Sequence, residues 1–211
     1  MSSREKTTSN QKPIEQPVVE APTKAVFGVS NMAHTFESFD HKRKGVKKAY
    51  DAFYELAEGR GNPFLLCYGG VGNGKTHLLE ATAIRLGERG VWVTVWVFAD
   101  FLSYLRRMIP DPMKSVDAIV ENYQTRGAVF FDDVGVEYGT DWERSILERI
   151  ISGRFRSKSI TVLTTNKDLD EVDDRGRRFI PERVASRFFD PDIGTVVLNS
   201  GSDFRRMKGG K

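Results

Sequence analysis

The sequence predicts an α/β fold, a five-stranded parallel sheet flanked by helices on both faces. Two observations carry that expectation. Short continuous apolar runs, the mark of strands buried on both faces, occur at Phe64–Tyr68, Val91–Phe98, Ala128–Phe131, Ile160–Thr164 and Thr195–Leu198. Longer stretches of helical character separate them: Lys75–Leu86, Ala99–Met108 with Met113–Asn122, Trp142–Phe155 and Pro181–Phe188. Strands that alternate with helices return parallel to one another, so helices must cover both faces. A further helix, Val46–Ala57, precedes the first strand, with Val46, Ala49, Tyr50, Phe53 and Leu56 at helical spacing and Gly59 and Gly61 as its stop. Pro110 and Pro112 divide the paired helices, and Pro181 suits a first helical turn.

With 211 residues, 39% of them hydrophobic, the chain can bury one substantial core. Residues 1–30 are rich in Ser, Thr, Lys, Gln and Pro without periodicity and read as a disordered tail. The folded domain then covers 31–211, ordered from about His34–Phe39, where Phe36 and Phe39 can anchor it. No apolar stretch has the length to cross a bilayer, and the polar N-terminus lacks the apolar core of a signal peptide. The expectation is a cytoplasmic protein with no membrane partner. The single cysteine, Cys67, excludes an internal disulfide and falls in an apolar run, as a buried filler would. A net charge of +3 permits a nucleic-acid partner without demanding one.

Chemistry concentrates between the first strand and the helix after it. Gly69-Gly70-Val71-Gly72-Asn73-Gly74-Lys75-Thr76 fits the pattern G-x-x-x-x-G-K-[ST]. Glycines let successive N–H groups turn toward phosphate oxygens, and the helix adds its positive end. Lys75 supplies a cation for the β- and γ-phosphates, and the Thr76 hydroxyl can ligate Mg2+. The strand–loop–helix context makes this a P-loop for ATP. His77 follows on the helix and is counted with the nucleotide-binding run, although no chemistry of its own is assigned to it.

A carboxylate from another strand should complete the metal site. Ala128–Phe131 runs into Asp132 and Asp133, at the strand end where ligands gather in open α/β sheets. Asp132 is the expected Mg2+-side carboxylate and Asp133 the general base that polarises water. Acidic residues after strands also cap turns, a reading that the P-loop makes less attractive. Asn166, after Thr164 and Thr165, can orient that water or contact the γ-phosphate; it can equally start a turn. Arg183 and Arg187 stand four residues apart on one helical face, where an arginine can serve a neighbouring subunit's γ-phosphate or simply be solvated.

Together these segments resemble the AAA+ ATPases, and within them the helicase loaders of the DnaC/DnaI type in the DnaA/IstB-related group. The resemblance runs from Thr35-Phe36-Glu37-Ser38-Phe39 through the P-loop, Phe131-Asp132-Asp133-Val134-Gly135, Thr164-Thr165-Asn166 and Glu182-Arg183-Val184-Ala185-Ser186-Arg187 to Ser202-Asp203-Phe204-Arg205-Arg206. It implies that Asn166 is sensor 1. It implies also that Arg183 and Arg187 are the arginine finger and a second nucleotide-contacting arginine, in an order left open. ATP-dependent homo-oligomers follow, each site completed by the next protomer. Partners would be a replicative DNA helicase and single-stranded DNA, with Arg106, Arg107 and Lys114 as possible phosphate contacts or a solvated face. Little sequence follows the last strand, and the expectation is a domain without a separate helical lid, consistent with the loader group.

The reading is an ATPase that loads or remodels a replicative helicase on single-stranded DNA. One alternative is an IstB-type transposition helper acting on duplex DNA. Another is a low-turnover, ATP-switched adaptor that recruits its partner through the tail. Trp92 and Trp96, alternating with β-branched residues, read as core. The basic stretches His41-Lys42-Arg43-Lys44 with Lys47 and Lys48, Arg175-Gly176-Arg177-Arg178 and Arg205–Lys211 could each touch a phosphate backbone, and read rather as solvated faces or tails.

Overall fold

The structure, a computed structural model, describes residues 26–111, 113, 115–135 and 139–205. Residues 1–25 of the expected tail, Pro112, Lys114 and Arg206 lie outside the described residues. Six parallel strands form one sheet in the order β1-β3-β4-β5-β2-β6. They are β1 (Val26–Phe27), β2 (Phe64–Tyr68), β3 (Val93–Val97), β4 (Ala128–Asp132), β5 (Thr161–Thr165) and β6 (Gly194–Leu198). The helices are α1 (Lys47–Ala57), α2 (Lys75–Glu88), α3 (Phe98–Met108), α4 (Val116–Thr125), α5 (Asp141–Arg156) and α6 (Glu182–Phe188).

Two expectations are corrected. The sheet has six strands, because Val26 and Phe27 pair with Val93 and Thr94 at its edge. That strand falls inside the stretch read as a tail. A strand of two residues is too short to show periodicity, and the sheet supplies its partners. Pro181 is the N-cap rather than a helical residue, with an extended ψ of 137° before Glu182 opens α6.

Successive strand residues point to opposite faces. Leu65, Cys67, Phe130 and Val162 pack with Phe53 of α1 and with Leu78 and Leu79 of α2. Phe64, Leu66, Phe131 and Leu163 pack under Phe101 of α3, Leu147 and Ile150 of α5 and Phe188 of α6. Each such apolar side chain contributes on the order of 1.5–3 kcal/mol by leaving water. Burial pushes the Cys67 thiol up to about 12, so it stays an inert filler. Trp96 is half-buried, stacked on Tyr104 and donating its indole N–H to the Tyr123 hydroxyl at 2.8 Å.

Arg154 is fully buried. Its guanidinium donates to Thr161 Oγ1 and to the carbonyls of Tyr123, Arg126, Gly127 and Ile160, at 2.6–2.9 Å. These bonds match the five N–H donors of the side chain. All the acceptors are neutral, and burial lowers its pKa to about 10. The residue pins the end of α4 and the starts of β4 and β5 to α5. At the other end of α5, the side chain of Thr140 accepts from the Glu143 N–H and Glu143 returns the bond, a capping box.

The β2–β3 connection passes through α2 on one face, and the β5–β6 connection through α6 on the other. β2 and β5 are neighbours, so their C-terminal ends frame the crevice where open α/β sheets take ligands.

Candidate nucleotide site

The P-loop leaves β2 at Tyr68 and enters α2 at Lys75. Gly74 is the N-cap with φ of 101°, and a Cβ there would lie 2.6 Å from the Phe39 ring, so glycine is required twice over. Asn73 is buried and donates its amide to the Asn199 carbonyl at 2.7 Å, tying the loop to the chain after β6.

The expected polar residues form one connected set. The Lys75 ammonium donates to the carbonyls of Gly69 (2.8 Å) and Gly70 (2.7 Å) and to Asn166 Oδ1 (2.7 Å). The Asn166 amide nitrogen donates to Asp133 Oδ1. Thr76 Oγ1 donates to Asp132 Oδ2 at 2.8 Å, and Thr164 Oγ1 donates to Asp132 Oδ1. Thr164 also accepts the Asp133 N–H at 3.1 Å. Asp133 adopts φ of 57°, a left-handed turn that aspartate tolerates and that ends the strand here.

Burial pulls the Lys75 pKa down, opposed by Asp132 and Asp133 among its neighbours. Burial pushes that of Asp132 up, opposed by the hydroxyls of Thr164 and Thr76. Both groups are therefore poorly solvated charges aimed into a cleft of about 580 Å³. The donor set fits Mg2+: a hydroxyl and a single carboxylate, both hard oxygens, leave coordination positions for water and phosphate. Among the described residues no cluster of three or more metal-ligating His, Cys, Asp or Glu exists.

Thr164 was missed as a site residue. Its signal is register: Phe131 pairs with Leu163, so the next positions along, Asp132 and Thr164, meet at the strand ends. Glu80 was missed as well. Buried on α2, it accepts from the N–H (2.6 Å) and hydroxyl (2.7 Å) of Ser30 and pairs with His34. His77 lies on the cleft wall and donates from Nε2 to the Thr35 carbonyl at 2.8 Å, with its ring stacked on His34 at 4.4 Å. Its hydrogen bonds fix the segment before α1, and burial lowers its pKa.

The arginines lie elsewhere. Arg183 is exposed, and Arg187 lays its guanidinium on the Phe155 ring, 4.5 Å from the centroid. Phe155 and Phe188 both pack on Phe64, at the N-terminal end of β2. The P-loop is at the other end of that strand, roughly 13 Å away at about 3.3 Å per residue. Neither arginine lines the cleft of its own chain. Arg106 is committed to an ion pair with Glu143 and lies over Trp142 at 5.3 Å, while Arg107 is exposed.

A family model described as the bacterial DnaA ATPase domain matches residues 30–188. The chain belongs to this family. It is 31% identical over 159 residues to the chromosomal replication initiator protein DnaA of Mycoplasma genitalium, covering 74% of this chain and 35% of that protein. It is 26% identical over 138 residues to the replicative helicase loader DnaC of Escherichia coli, covering 65% of this chain and 55% of that protein. The AMPPCP-bound structure of DnaA from Aquifex aeolicus matches with a TM-score of 0.67 at 25% identity, over 80% of this chain and 50% of that one. The fold is thus that of an AAA+ P-loop domain, as the resemblance implied. The chain spans between about a third and just over half of the length of the relatives it matches. No helix among the described residues is long and apolar enough to cross a membrane.

Proposed function

We propose that this domain binds and hydrolyses ATP with Mg2+ in a homo-oligomer, and that the cycle loads or remodels a replicative DNA helicase on single-stranded DNA during replication initiation. The observation that carries the ATPase reading is the unbroken chain Thr76–Asp132–Thr164–Asp133–Asn166–Lys75. Backbone N–H groups of the P-loop and the α2 N-terminus would cradle the phosphates, and Lys75 would turn from Gly69 and Gly70 to the β- and γ-oxygens. Thr76 and Asp132 would hold Mg2+, which when bound neutralises charge on the β- and γ-phosphates. Asp133 accepts the proton of the attacking water, and Asn166 holds that carboxylate in place.

The placement of Arg183 and Arg187 away from their own cleft supports completion of each site by a neighbour. An arginine approaching from another subunit stabilises transition-state charge without slowing nucleotide entry. The likeness to a helicase loader and to a replication initiator supports the role in replication. The test is retention of a hexameric replicative helicase on circular single-stranded DNA, with ATP and the wild-type protein or Lys75→Ala. Retention that needs ATP and is lost in the variant supports the proposal. Equal retention with both proteins refutes it, and activity confined to duplex DNA would favour the transposition helper.

A further inference from the structure

The run after β6 does more than end the fold. Asn199 donates its N–H to the Tyr68 carbonyl at 2.8 Å and accepts from Asn73 at 2.7 Å. Phe204 donates its N–H to the Gly72 carbonyl at 2.9 Å. A Cβ on Gly72, whose φ is 72°, would lie 1.9 Å from Asp203 Oδ1. Residues 199–205 are therefore a strap laid along the outside of the P-loop, and Gly72 is the residue that lets it lie so close.

The strap brings two side chains together that the sequence separates widely. Arg43 donates from Nη2 to the Ser202 carbonyl at 2.7 Å, and its guanidinium lies 4.7 Å from the centre of the Phe204 ring. Arg43 and Phe204 line the same cleft as Lys75 and Thr76. The Nε of Arg43 is buried and has no hydrogen-bond partner among the described residues. Leaving such a donor unpaired is costly, which is why buried polar groups in finished sites have partners. Lys75, Thr76, Asp132 and Asn166 define the phosphate end of the cleft. Arg43 and Phe204 form a cation-on-aromatic contact, and guanidinium planes and aromatic rings are the surfaces on which nucleobases settle.

We propose that Arg43 and Phe204 form the nucleoside wall of the ATP site, against which the adenosine half of the nucleotide settles. The inference rests on the nucleotide reading of the P-loop. It assigns binding roles to Arg43, which the sequence presents within a basic run, and to Phe204, which stands in the ending Ser202–Arg206.

Titration calorimetry with two ligands, each with Mg2+, tests it: ATP, and inorganic tripolyphosphate, which keeps the phosphates and lacks the nucleoside. Phe204→Ala is expected to weaken ATP about tenfold, the worth of one base stack, while tripolyphosphate binding stays within about twofold. Arg43→Ala should follow the same pattern. Phe204→Leu, which keeps apolar bulk against the P-loop, should show the ATP loss even where the alanine variant folds poorly. Equal losses for both ligands would overturn the proposal, since the strap would then only support the phosphate loop. An unchanged ATP affinity would overturn it too. If the wild-type protein bound neither ligand, the P-loop reading itself would fall and take the proposal with it.

Discussion

Replacing Thr164 with valine keeps the shape of the side chain and removes one oxygen. That oxygen donates to Asp132 and accepts the Asp133 N–H, at a position with no solvent exposure. The lost hydrogen bond to a carboxylate is worth about 1.5–3 kcal/mol, and an unpaired buried N–H costs a further 1–3 kcal/mol or so. The added methyl returns about 0.8 kcal/mol. The net destabilisation is about 2–5 kcal/mol, a large share of a typical domain's 5–15 kcal/mol. Urea unfolding reads it directly. Function should change along a second axis, because Asp132 would keep only Thr76 to orient its carboxylate. Loss of a group that positions a metal ligand weakens metal binding about 10- to 100-fold, so the Mg2+ concentration for half-maximal hydrolysis should rise by at least about tenfold. A variant within about 0.5 kcal/mol of wild type, with an unchanged Mg2+ requirement, would refute the argument that Thr164 holds both aspartates.

Arg187→Ala or Arg183→Ala should lower ATP hydrolysis by about 10³-fold with little change in nucleotide affinity, and mixing that variant with Lys75→Ala should restore activity. A mixture as inactive as its components would rule out a site shared between protomers. Arg154→Lys offers three donors where five are used, so at least two oxygens lose a partner, and melting should show a loss of about 2–6 kcal/mol. A loss below about 1 kcal/mol would mean that Arg154 does not clamp α4, β4 and β5 as described. His77 binds a proton less readily folded than unfolded, since burial lowers its pKa below 6.5. Its contribution to stability is present above pH 6.5 and is lost as pH falls from there through the folded value. The unfolding free energy of His77→Gln should therefore decline less than that of wild type between neutral and mildly acidic pH; parallel curves would contradict this.

The sequence was legible wherever structure follows from neighbours along the chain. Buried strands announce themselves as unbroken apolar runs, and the P-loop needs glycines at fixed spacing, so β2, β4, β5 and the phosphate site could all be read. What stayed hidden depends on distant contacts. Nothing around Val26–Phe27 marks a strand until β3 offers its edge. Arg154 is one of many charged residues on a mixed helix, and only the four carbonyls at the end of α4 and the starts of β4 and β5 explain its burial. Arg43 reads as part of a basic run until Phe204 arrives from 161 residues away. Thr164 lies between these cases, since strand register would have paired it with Asp132 once β4 and β5 were taken as neighbours.

Asn166 shows what geometry adds to readings that the sequence leaves equal. An asparagine that merely starts a turn would spend its side chain on nearby backbone. Here the amide oxygen accepts from Lys75, and the amide nitrogen donates to Asp133. The orientation is forced by chemistry, because an ammonium can only donate and a carboxylate, while ionised, can only accept. No other uncharged side chain of that length offers both functions at one planar end. An aspartate would face Asp133 with a like charge, and a leucine would leave both partners unbridged. Were Lys75 to turn to a γ-phosphate, as proposed above, the amide oxygen would be free to accept from the attacking water, while the nitrogen side would keep Asp133 in register. On the proposed reading, the residue would link the presence of a γ-phosphate to the Asp133 carboxylate, with no larger movement of the strand that carries it.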